Sequence, residues 1–210
     1  MDKRKLGSTG FEVAPLAFGG NVFGWTADEP TSFALLDRFV GAGFNLIDTA
    51  DSYSRWAAGH VGGESETIIG RWIGRRGRHD DVIVATKVGS DMGEGHKVLR
   101  KDYILRAAEA SLKRLGVDCL DLYQSHWDDE NTPLEETLSA YDRLIRDGKV
   151  KAIGASNLSA ARLGQALAVS AARGLPRYAT LQPHYNLYER ASFEDELQDV
   201  CVRESIGVTT

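Results

Sequence analysis

The sequence predicts an α/β fold, a (β/α)8 TIM barrel that opens with a β-hairpin and breaks off after about six to seven barrel strands. Short apolar segments alternate with longer segments of helical period along the whole chain of 210 residues. Ionisable side chains stand where successive apolar segments end, and the carboxyl ends of barrel strands meet at one mouth. A dinucleotide-binding doubly wound sheet is disfavoured because its GxGxxG fingerprint is missing from the sequence.

The first part of the chain contains the segments expected of a hairpin and two barrel strands. The flanks of the turn at 7–10 predict the opening hairpin, and residues 15–18 predict the first barrel strand. A helical spacing of apolar residues over 33–40 ends at two glycines. Residues 44–47 then predict the next strand, and residues 65–73 the next helix.

The remainder of the chain continues this alternation. Predicted strands lie at 82–86, 119–123, 150–155, 180–182 and 207–210. Predicted helices lie at 103–115 with Asp102 as the N-terminal cap, at 134–145, from 159 onward and at 193–202. We predict a single barrel domain over 1–210 because no linker or low-complexity tract interrupts the pattern. A closed barrel typically needs about 250 residues, so we expect its C-terminal strands and helices to be missing here.

The composition indicates a cytoplasmic globular protein. Apolar residues make up 42% of the chain and charged residues 26%, as in an ordinary globular domain. The formal net charge of −5, without a basic stripe, argues against nucleic-acid binding. The sequence has neither the apolar run of a signal peptide nor a segment long enough to span a membrane. Cys119 and Cys201 lie in apolar surroundings and are predicted to be buried free thiols.

Four ionisable residues close successive predicted strands and indicate an enzyme, namely Asp48, Tyr53, Lys87 and His126. A free tyrosine has a pKa of about 10, and the Lys87 ammonium is expected to lower the pKa of Tyr53 by favouring the phenolate. Asp48 is expected to hold Lys87 in its charged form, and His126 can donate a hydrogen bond to a substrate oxygen. Such a set can protonate a carbonyl oxygen as electrons reach its carbon, which requires a hydride cofactor.

Two further strand ends carry amide and hydroxyl groups, in the sequences GASN and QPHYN. Ser156, Asn157 and Gln182 offer hydrogen-bond partners suited to a carboxamide such as that of nicotinamide. Tyr185 offers a flat face on which a ring can stack. These residues therefore predict a cofactor site beside the four ionisable ones.

Together these motifs resemble the aldo-keto reductase superfamily. DTADSY, ATK, QSH, GASN and QPHYN follow one another in the family's order and spacing, from about residue 7 to the last residue. The resemblance implies an (α/β)8 barrel that reduces aldehydes or ketones with a nicotinamide cofactor, usually NADPH, with NADH also possible. It implies Tyr53 as the general acid, tuned by Asp48 and Lys87, with His126 orienting the carbonyl.

The resemblance also implies roles at the cofactor and the substrate. Ser156, Asn157 and Gln182 would hold the carboxamide, with Tyr185 stacked on the nicotinamide ring. The residues expected to shape the substrate pocket are Trp25 in the loop GGNVFGW, Trp56 and Trp127. In this family the contacts to the cofactor phosphate come mostly from loops after the last two strands, so the choice between NADP and NAD lies outside this sequence.

Three other interpretations remain open at this point. Lys87 could be the nucleophile of a Schiff-base aldolase on the same barrel. The chain could instead be a nicotinamide-binding regulatory module resembling potassium-channel beta subunits, or a fragment without activity. Taken alone, His126 would more often be structural than catalytic, and the dispersed histidines predict no metal site. The physiological carbonyl compound and the oligomeric state are left unpredicted.

Overall fold

The structure, a computed structural model, describes residues 2–210. Its strands are β1 (Arg4–Lys5), β2 (Glu12–Val13), β3 (Ala17–Gly19), β4 (Leu46–Asp48), β5 (Ile83–Val88), β6 (Leu120–Ser125), β7 (Val150–Ser156), β8 (Thr180–Gln182) and β9 (Gly207–Val208). Its helices are α1 (Glu29–Gly41), α2 (Glu64–Arg76), α3 (Lys101–Leu115), α4 (Leu134–Arg146), α5 (Ala160–Arg173) and α6 (Glu196–Arg203). These elements follow the alternation that the sequence predicts.

Strands β3 to β9 form one seven-stranded parallel sheet in which each strand pairs with the next along the chain. The sheet is curled, so that its first and last strands approach each other. A cavity of about 80 Å³ on the concave side is lined both by Ala17 of β3 and by Thr209 after β9. Neighbouring helices pack against one another around the sheet. This architecture confirms the predicted fold class, a β/α barrel with about six to seven of its strands present.

The N-terminal hairpin of β1 and β2 covers the amino ends of the barrel strands. Its Leu6 and Val13 pack in one buried cluster with side chains from the barrel interior, which are Leu46, Ile83, Ala85, Leu122 and Ala152. The Asn45 side chain ties the hairpin to β4, since its Oδ1 accepts from Ala14 N at 2.9 Å and its Nδ2 donates to Glu12 O at 2.9 Å. The predicted hairpin is therefore confirmed, and it closes the floor of the barrel.

The cap predicted for α3 is wrong. The helix begins at Lys101 after Arg100, whose side chain makes no capping hydrogen bond. The Lys101 N–H instead donates to Glu136 Oε1 of α4 at 3.0 Å, so a neighbouring helix satisfies a free donor of the first turn. Asp102 pairs with Arg106 Nη1 at 2.8 Å on the exposed side of the same helix.

Other element boundaries shift for local reasons. The first barrel strand begins at Ala17, two residues late, because Pro15 has no N–H for a sheet. Helix α6 begins at Glu196 because a turn, with Phe193 N bound to Arg190 O at 3.1 Å, precedes it. Both cysteines are free, as predicted, but only Cys201 is buried, since Cys119 lies half-buried before β6. Within residues 2–210, no helix is long and apolar enough to cross a membrane.

Candidate active site

The parallel sheet brings the carboxyl ends of β4, β5 and β6 to one edge. Asp48 is the last residue of β4, Lys87 is the next to last of β5, and His126 directly follows β6. In the pairing register Asp48 lies beside Ala85, and Lys87 lies beside Gln124. Because side chains alternate between the two faces of a strand, this register places Asp48 and Lys87 on the concave side at the mouth.

Asp48, Tyr53 and Lys87 form one hydrogen-bonded group. Lys87 Nζ is 2.7 Å from Asp48 Oδ1 and donates to Tyr53 Oη at 2.7 Å and to Thr49 O at 2.8 Å. The Tyr53 hydroxyl donates to Asp48 Oδ2 at 2.9 Å. Lys87 is 1% exposed and has no access to water. Its three N–H donors are all directed to neighbouring protein oxygens.

The charges in this group differ from the expectation for Tyr53. Burial raises the pKa of Tyr53 above its ordinary value, and the Asp48 carboxylate, which accepts the hydroxyl hydrogen, raises it further. The predicted net lowering of the Tyr53 pKa is therefore wrong for this arrangement, because burial and Asp48 outweigh the effect of the Lys87 ammonium. Burial also lowers the pKa of Lys87, and the charge of Asp48 opposes that shift. The phenol is thus held protonated beside an ammonium.

His126 is oriented by a chain of two serine hydroxyls. Ser52 Oγ donates to Ser90 Oγ at 3.1 Å, and Ser90 Oγ lies 2.9 Å from His126 Nδ1. This order leaves the Ser90 hydrogen free for Nδ1, and it favours the tautomer in which Nε2 carries the ring hydrogen. Burial, aided by Lys87 and Lys97, lowers the pKa of His126 to about 3. The ring is consequently a neutral hydrogen-bond donor.

The loop that carries Tyr53 is anchored to the loop after β3. Ser54 adopts a left-handed backbone conformation with φ 69°, and its buried hydroxyl donates to Phe23 O at 2.7 Å. The imidazole is positioned from the other side, because His126 N donates to Val88 O at 2.7 Å. The Tyr53 and His126 rings meet edge to face with 5.9 Å between centroids. The structure therefore brings all four predicted residues to one point.

The predicted carboxamide partners lie together at the ends of β7 and β8. Ser156 Oγ donates to Gln182 O at 2.8 Å and accepts from Asn157 Nδ2 at 3.0 Å. Asn157 Nδ2 also donates to His126 O at 3.0 Å, which joins this group to the mouth. Gln182 Oε1 accepts from Gln124 Nε2 at 3.3 Å. Among residues 2–210, Asn157 Oδ1 and Gln182 Nε2 make no hydrogen bond, which leaves one acceptor and one donor for a ligand.

Tyr185 lies apart from the ionisable group. Its hydroxyl donates to Glu194 Oε1 at 2.6 Å, and its ring packs against Phe193 with 5.0 Å between centroids. The ring is half-buried in the segment before α6. Its role as a stacking platform stays a prediction.

The three tryptophans are exposed around the mouth. Trp56 lies 6.2 Å from Tyr53 and 5.7 Å from Trp25 between ring centroids. Trp127 stacks on His126 at 5.9 Å and carries Lys97 Nζ over its ring at 4.2 Å. These aromatic surfaces are available to a substrate next to Tyr53 and His126, and Lys97 adds a positive charge to the rim.

Sequence reasoning missed Ser52, Ser90 and Lys97. Ser52 lies inside the DTADSY motif and Ser90 three residues after Lys87, so a search for hydroxyls at strand ends would have found both. Lys97 comes from a polar loop whose position over the mouth has no signal in the sequence. No group of three histidine, cysteine, aspartate or glutamate side chains in the described part of the chain could hold a metal ion.

The sequence is similar to known proteins over nearly its whole length. Residues 15–210 match the sequence model described as the Aldo/keto reductase family. The chain is 37% identical over 205 residues to aldo-keto reductase YhdN and 38% identical over 199 residues to uncharacterized oxidoreductase YrpG, both of Bacillus subtilis. It is 33% identical over 229 aligned residues to Protein tas of Escherichia coli.

These alignments cover most of this chain but only part of the relatives. They include 94%, 91% and 98% of this chain, and 57%, 60% and 66% of YhdN, YrpG and Tas, respectively. The chain thus spans less than two thirds of the length of each of these relatives. An uncharacterized 11.2 kDa protein of Pseudescherichia vulneris is 54% identical over 101 residues, which are 48% of this chain and 98% of that protein.

Proposed function

The chain belongs to the aldo/keto reductase family, and we propose that it reduces an aldehyde or a ketone to an alcohol with a hydride from NADPH or NADH. The observation that carries this proposal is the buried Asp48–Lys87–Tyr53 hydrogen-bonded group at the mouth of the barrel. It provides a protonated phenol at the place where substrate can enter. It also provides a fixed ammonium, which stabilises the negative charge that develops on the phenol oxygen.

Tyr53 is the proposed proton donor. In this structure its hydroxyl hydrogen points to Asp48 Oδ2, so the hydroxyl turns to the substrate oxygen before the proton is transferred. The phenolate formed by that transfer keeps its hydrogen bond from Lys87 Nζ. Asp48, at 2.7 Å from the ammonium, keeps Lys87 charged and in place. The substrate carbon gains a hydride, its oxygen gains the Tyr53 proton, and a carbonyl becomes an alcohol.

His126 is the proposed orienting residue. The neutral imidazole, with Nδ1 engaged by Ser90, offers Nε2–H to a carbonyl oxygen beside Tyr53. Two donors on one oxygen polarise the carbonyl and set the face that it presents. The aromatic surfaces of Trp25, Trp56 and Trp127 favour a small carbonyl compound with an apolar body.

The residues at the ends of β7 and β8 fit a nicotinamide. A carboxamide needs one acceptor for its N–H and one donor for its oxygen, and Asn157 Oδ1 and Gln182 Nε2 meet that need. Ser156 braces both through its hydrogen bonds to Asn157 Nδ2 and Gln182 O. A bound reduced nicotinamide supplies the hydride. NADPH is the cofactor that the family resemblance implies, and the carboxamide that Ser156, Asn157 and Gln182 would hold is common to NADPH and NADH.

The Schiff-base alternative is less favoured by the surroundings of Lys87. Its nitrogen is fully engaged by Asp48, Tyr53 and Thr49 O. A lysine nucleophile must be neutral and must leave those partners to attack a carbonyl. The proposed reductase role uses the ammonium where it already lies.

Cofactor binding and turnover test the proposal together. We expect saturable quenching of tryptophan fluorescence by NADPH or NADH, because Trp127 stacks on His126 beside the proposed nicotinamide site. Gln182→Ala should weaken binding by about tenfold, as expected when one hydrogen-bond partner of the ligand is removed. A panel of small aldehydes, followed by loss of NADPH absorbance, measures the reduction.

The outcomes separate the candidates. Binding of neither cofactor by the folded protein would remove the reductase proposal, and borohydride trapping with an aldehyde would then test Lys87 as a nucleophile. Tight binding without turnover would favour the regulatory module. His184→Ala is the matched control for Gln182→Ala, since His184 is an exposed residue directly after β8, which ends at Gln182.

A further inference from the structure

A second cluster of charged side chains lies beside Lys87 on the outer face of the sheet, to which Thr86 points, and Asp51 N donates to Lys87 O at 3.2 Å. Its carboxyls are Asp51, which is 4% exposed, and Glu66, which is 0% exposed. Arg114 reaches this cluster from α3, and Thr86 reaches it from β5. The proposed proton transfer does not use these residues.

The hydrogen bonds in this cluster are distributed unequally. Glu66 Oε2 accepts from Arg114 Nε at 2.6 Å, and Glu66 Oε1 accepts from Thr86 Oγ1 at 2.6 Å. Asp51 Oδ1, by contrast, is buried and has no hydrogen-bond partner among residues 2–210. Arg114 therefore forms its ion pair with Glu66, and Asp51 forms no ion pair among residues 2–210.

The charges of the two clusters do not balance if every group is ionised. Three carboxyls, Asp48, Asp51 and Glu66, share two cations, Lys87 and Arg114. Lys87 pairs with Asp48 at 2.7 Å and Arg114 pairs with Glu66 at 2.6 Å. An unpaired buried carboxylate is costly, so a carboxyl in this position takes up a proton instead.

We propose that Asp51 is this protonated, uncharged carboxyl and that it is a positioning residue for the proposed reduction, acting through Lys87. While Asp51 is neutral, Asp48 is the single counter-ion of Lys87, and the ammonium keeps its full effect on the Tyr53 oxygen. When Asp51 loses its proton, a second negative charge lies beside Lys87 and offsets that effect. The catalytic part of this inference rests on the proposed function, whereas the protonation of Asp51 does not.

The electrostatics of the site agree with this geometry. Burial raises the pKa of Asp51 to about 8, the charge of Glu66 adds to the rise, and Arg114 and Lys87 oppose it. The titratable groups on surrounding elements whose charge interacts with that of Asp51 are Glu66 of α2, Lys87 of β5, Tyr103 and Arg114 of α3, Tyr123 of β6 and Tyr141 of α4. The tyrosines have raised pKa values and stay neutral, so the cluster has no further cation for Asp51.

Infrared spectroscopy tests the protonation without reference to activity. At pH 6 to 7 the protein should show the carbonyl stretching band of a protonated carboxylic acid, and the band should disappear with a midpoint near pH 8. Asp51→Asn, which keeps the shape and removes the acid, should lose the band. Asp91→Asn, at an exposed carboxylate in the loop after β5, should keep it. A missing band in the wild type, or its survival in Asp51→Asn, would overturn the assignment.

Unfolding measurements give a second readout. Because the folded-state pKa of Asp51 lies above the unfolded value of about 3.9, the folded state binds the extra proton and loses stability as the pH rises. The free energy of unfolding of the wild type minus that of Asp51→Asn should fall between about pH 4 and about pH 8 and then level off. A difference that is constant with pH would contradict a protonated Asp51.

The pH profile of turnover tests the positioning role. In the wild type kcat for reduction should fall with a midpoint near pH 8, and that step should be absent in Asp51→Asn and present in Asp91→Asn. If Asp51→Asn loses the infrared band but keeps the pH profile of kcat that the wild type shows, the positioning role is overturned. A folded protein that shows the band but reduces no carbonyl compound at any pH would instead count against the proposed function.

Discussion

The two ends of the barrel interior are built from the same strands but from different side chains. On β4 the inward position at the floor is Leu46 and the one at the mouth is Asp48. On β5 the inward residues run from Ile83 through Ala85 to Lys87. Each strand thus changes from apolar to ionisable within two to four residues, while its backbone pairing continues.

The next strands change from apolar to polar in the same direction. Leu122 and Ala152 belong to the floor, and the hydrogen-bonding side chains towards the mouth are Gln124 on β6 and Ser156 on β7. The floor is covered by the apolar face of the hairpin, so it buries hydrocarbon and adds stability. The mouth instead buries charges and hydrogen-bonding groups, which cost free energy unless they are paired. The comparison indicates that stability is concentrated at one end and chemistry at the other.

The largest expected effect is at the mouth. Tyr53→Phe removes the proposed proton donor and should lower kcat for carbonyl reduction by about 1,000-fold, within the range usual for a general acid. The free energy of unfolding should fall by about 1 to 2 kcal/mol, because the ring stays in place but Lys87 and Asp48 each lose one hydrogen bond. Steady-state kinetics and urea unfolding measure the two effects. Tyr188→Phe, at a side chain that is 90% exposed, is the control. If Tyr53→Phe keeps more than a tenth of the wild-type kcat, a group other than Tyr53 donates the proton to the substrate oxygen.

The converse effect is expected at the floor. Leu122→Ala should lower the free energy of unfolding by about 3 kcal/mol, because it leaves a cavity among buried residues. Leu122→Ala should leave kcat within about twofold of the wild type, because Leu122 belongs to the floor and is not a proton donor or acceptor in the reaction. Urea unfolding and turnover of the same sample check both. Leu187→Ala, at a fully exposed leucine, should change neither. A large loss of kcat at unchanged stability would contradict the division between the two ends.

The protonation of His126 makes stability depend on pH. Its folded-state pKa of about 3 lies below the unfolded value of about 6.5. The unfolded chain therefore binds the extra proton, and the stabilisation is present above about pH 6.5 and is lost as the pH falls towards about 3. Between pH 7 and pH 5 the loss should be about 2 kcal/mol. Urea unfolding at both pH values measures the free energy of unfolding of the wild type minus that of His126→Asn, in which the contribution of Asp51 cancels because both proteins carry it. That difference should fall by about 2 kcal/mol from pH 7 to pH 5, and the corresponding difference with His184→Asn, the control, should not.

The smallest expected effect concerns the orientation of His126. Ser90→Ala removes the hydroxyl that lies 2.9 Å from His126 Nδ1 and should lower kcat/KM by about tenfold, as for the loss of one hydrogen bond. Ser52→Ala should do less, because Ser52 Oγ lies 3.5 Å from the same nitrogen and acts mainly through Ser90. Equal losses in both variants would mean that the two serines do not act in that order.

Much of the fold could be predicted because its signals are local. The alternation of apolar strands and helices, and the hairpin around 7–10, correspond to contacts between near neighbours in the chain. The α3 cap could not be predicted, because the Lys101 N–H is bound by Glu136 of another helix. Capping rules consider only residues close in sequence, and they therefore pointed to Asp102 as the residue that caps α3.

The sequence alone determined that Asp48, Lys87 and His126 would meet. Each ends a strand, and parallel strands in register carry such residues to one edge. It did not determine how those groups are charged. The pKa of Tyr53 depends on burial and on Asp48, and the pKa of Asp51 depends on burial first and then on the nearby charges of Glu66 and Arg114. Desolvation and charge pairing act between residues distant in the chain, so only the tertiary structure decided the protonation states on which the chemistry depends.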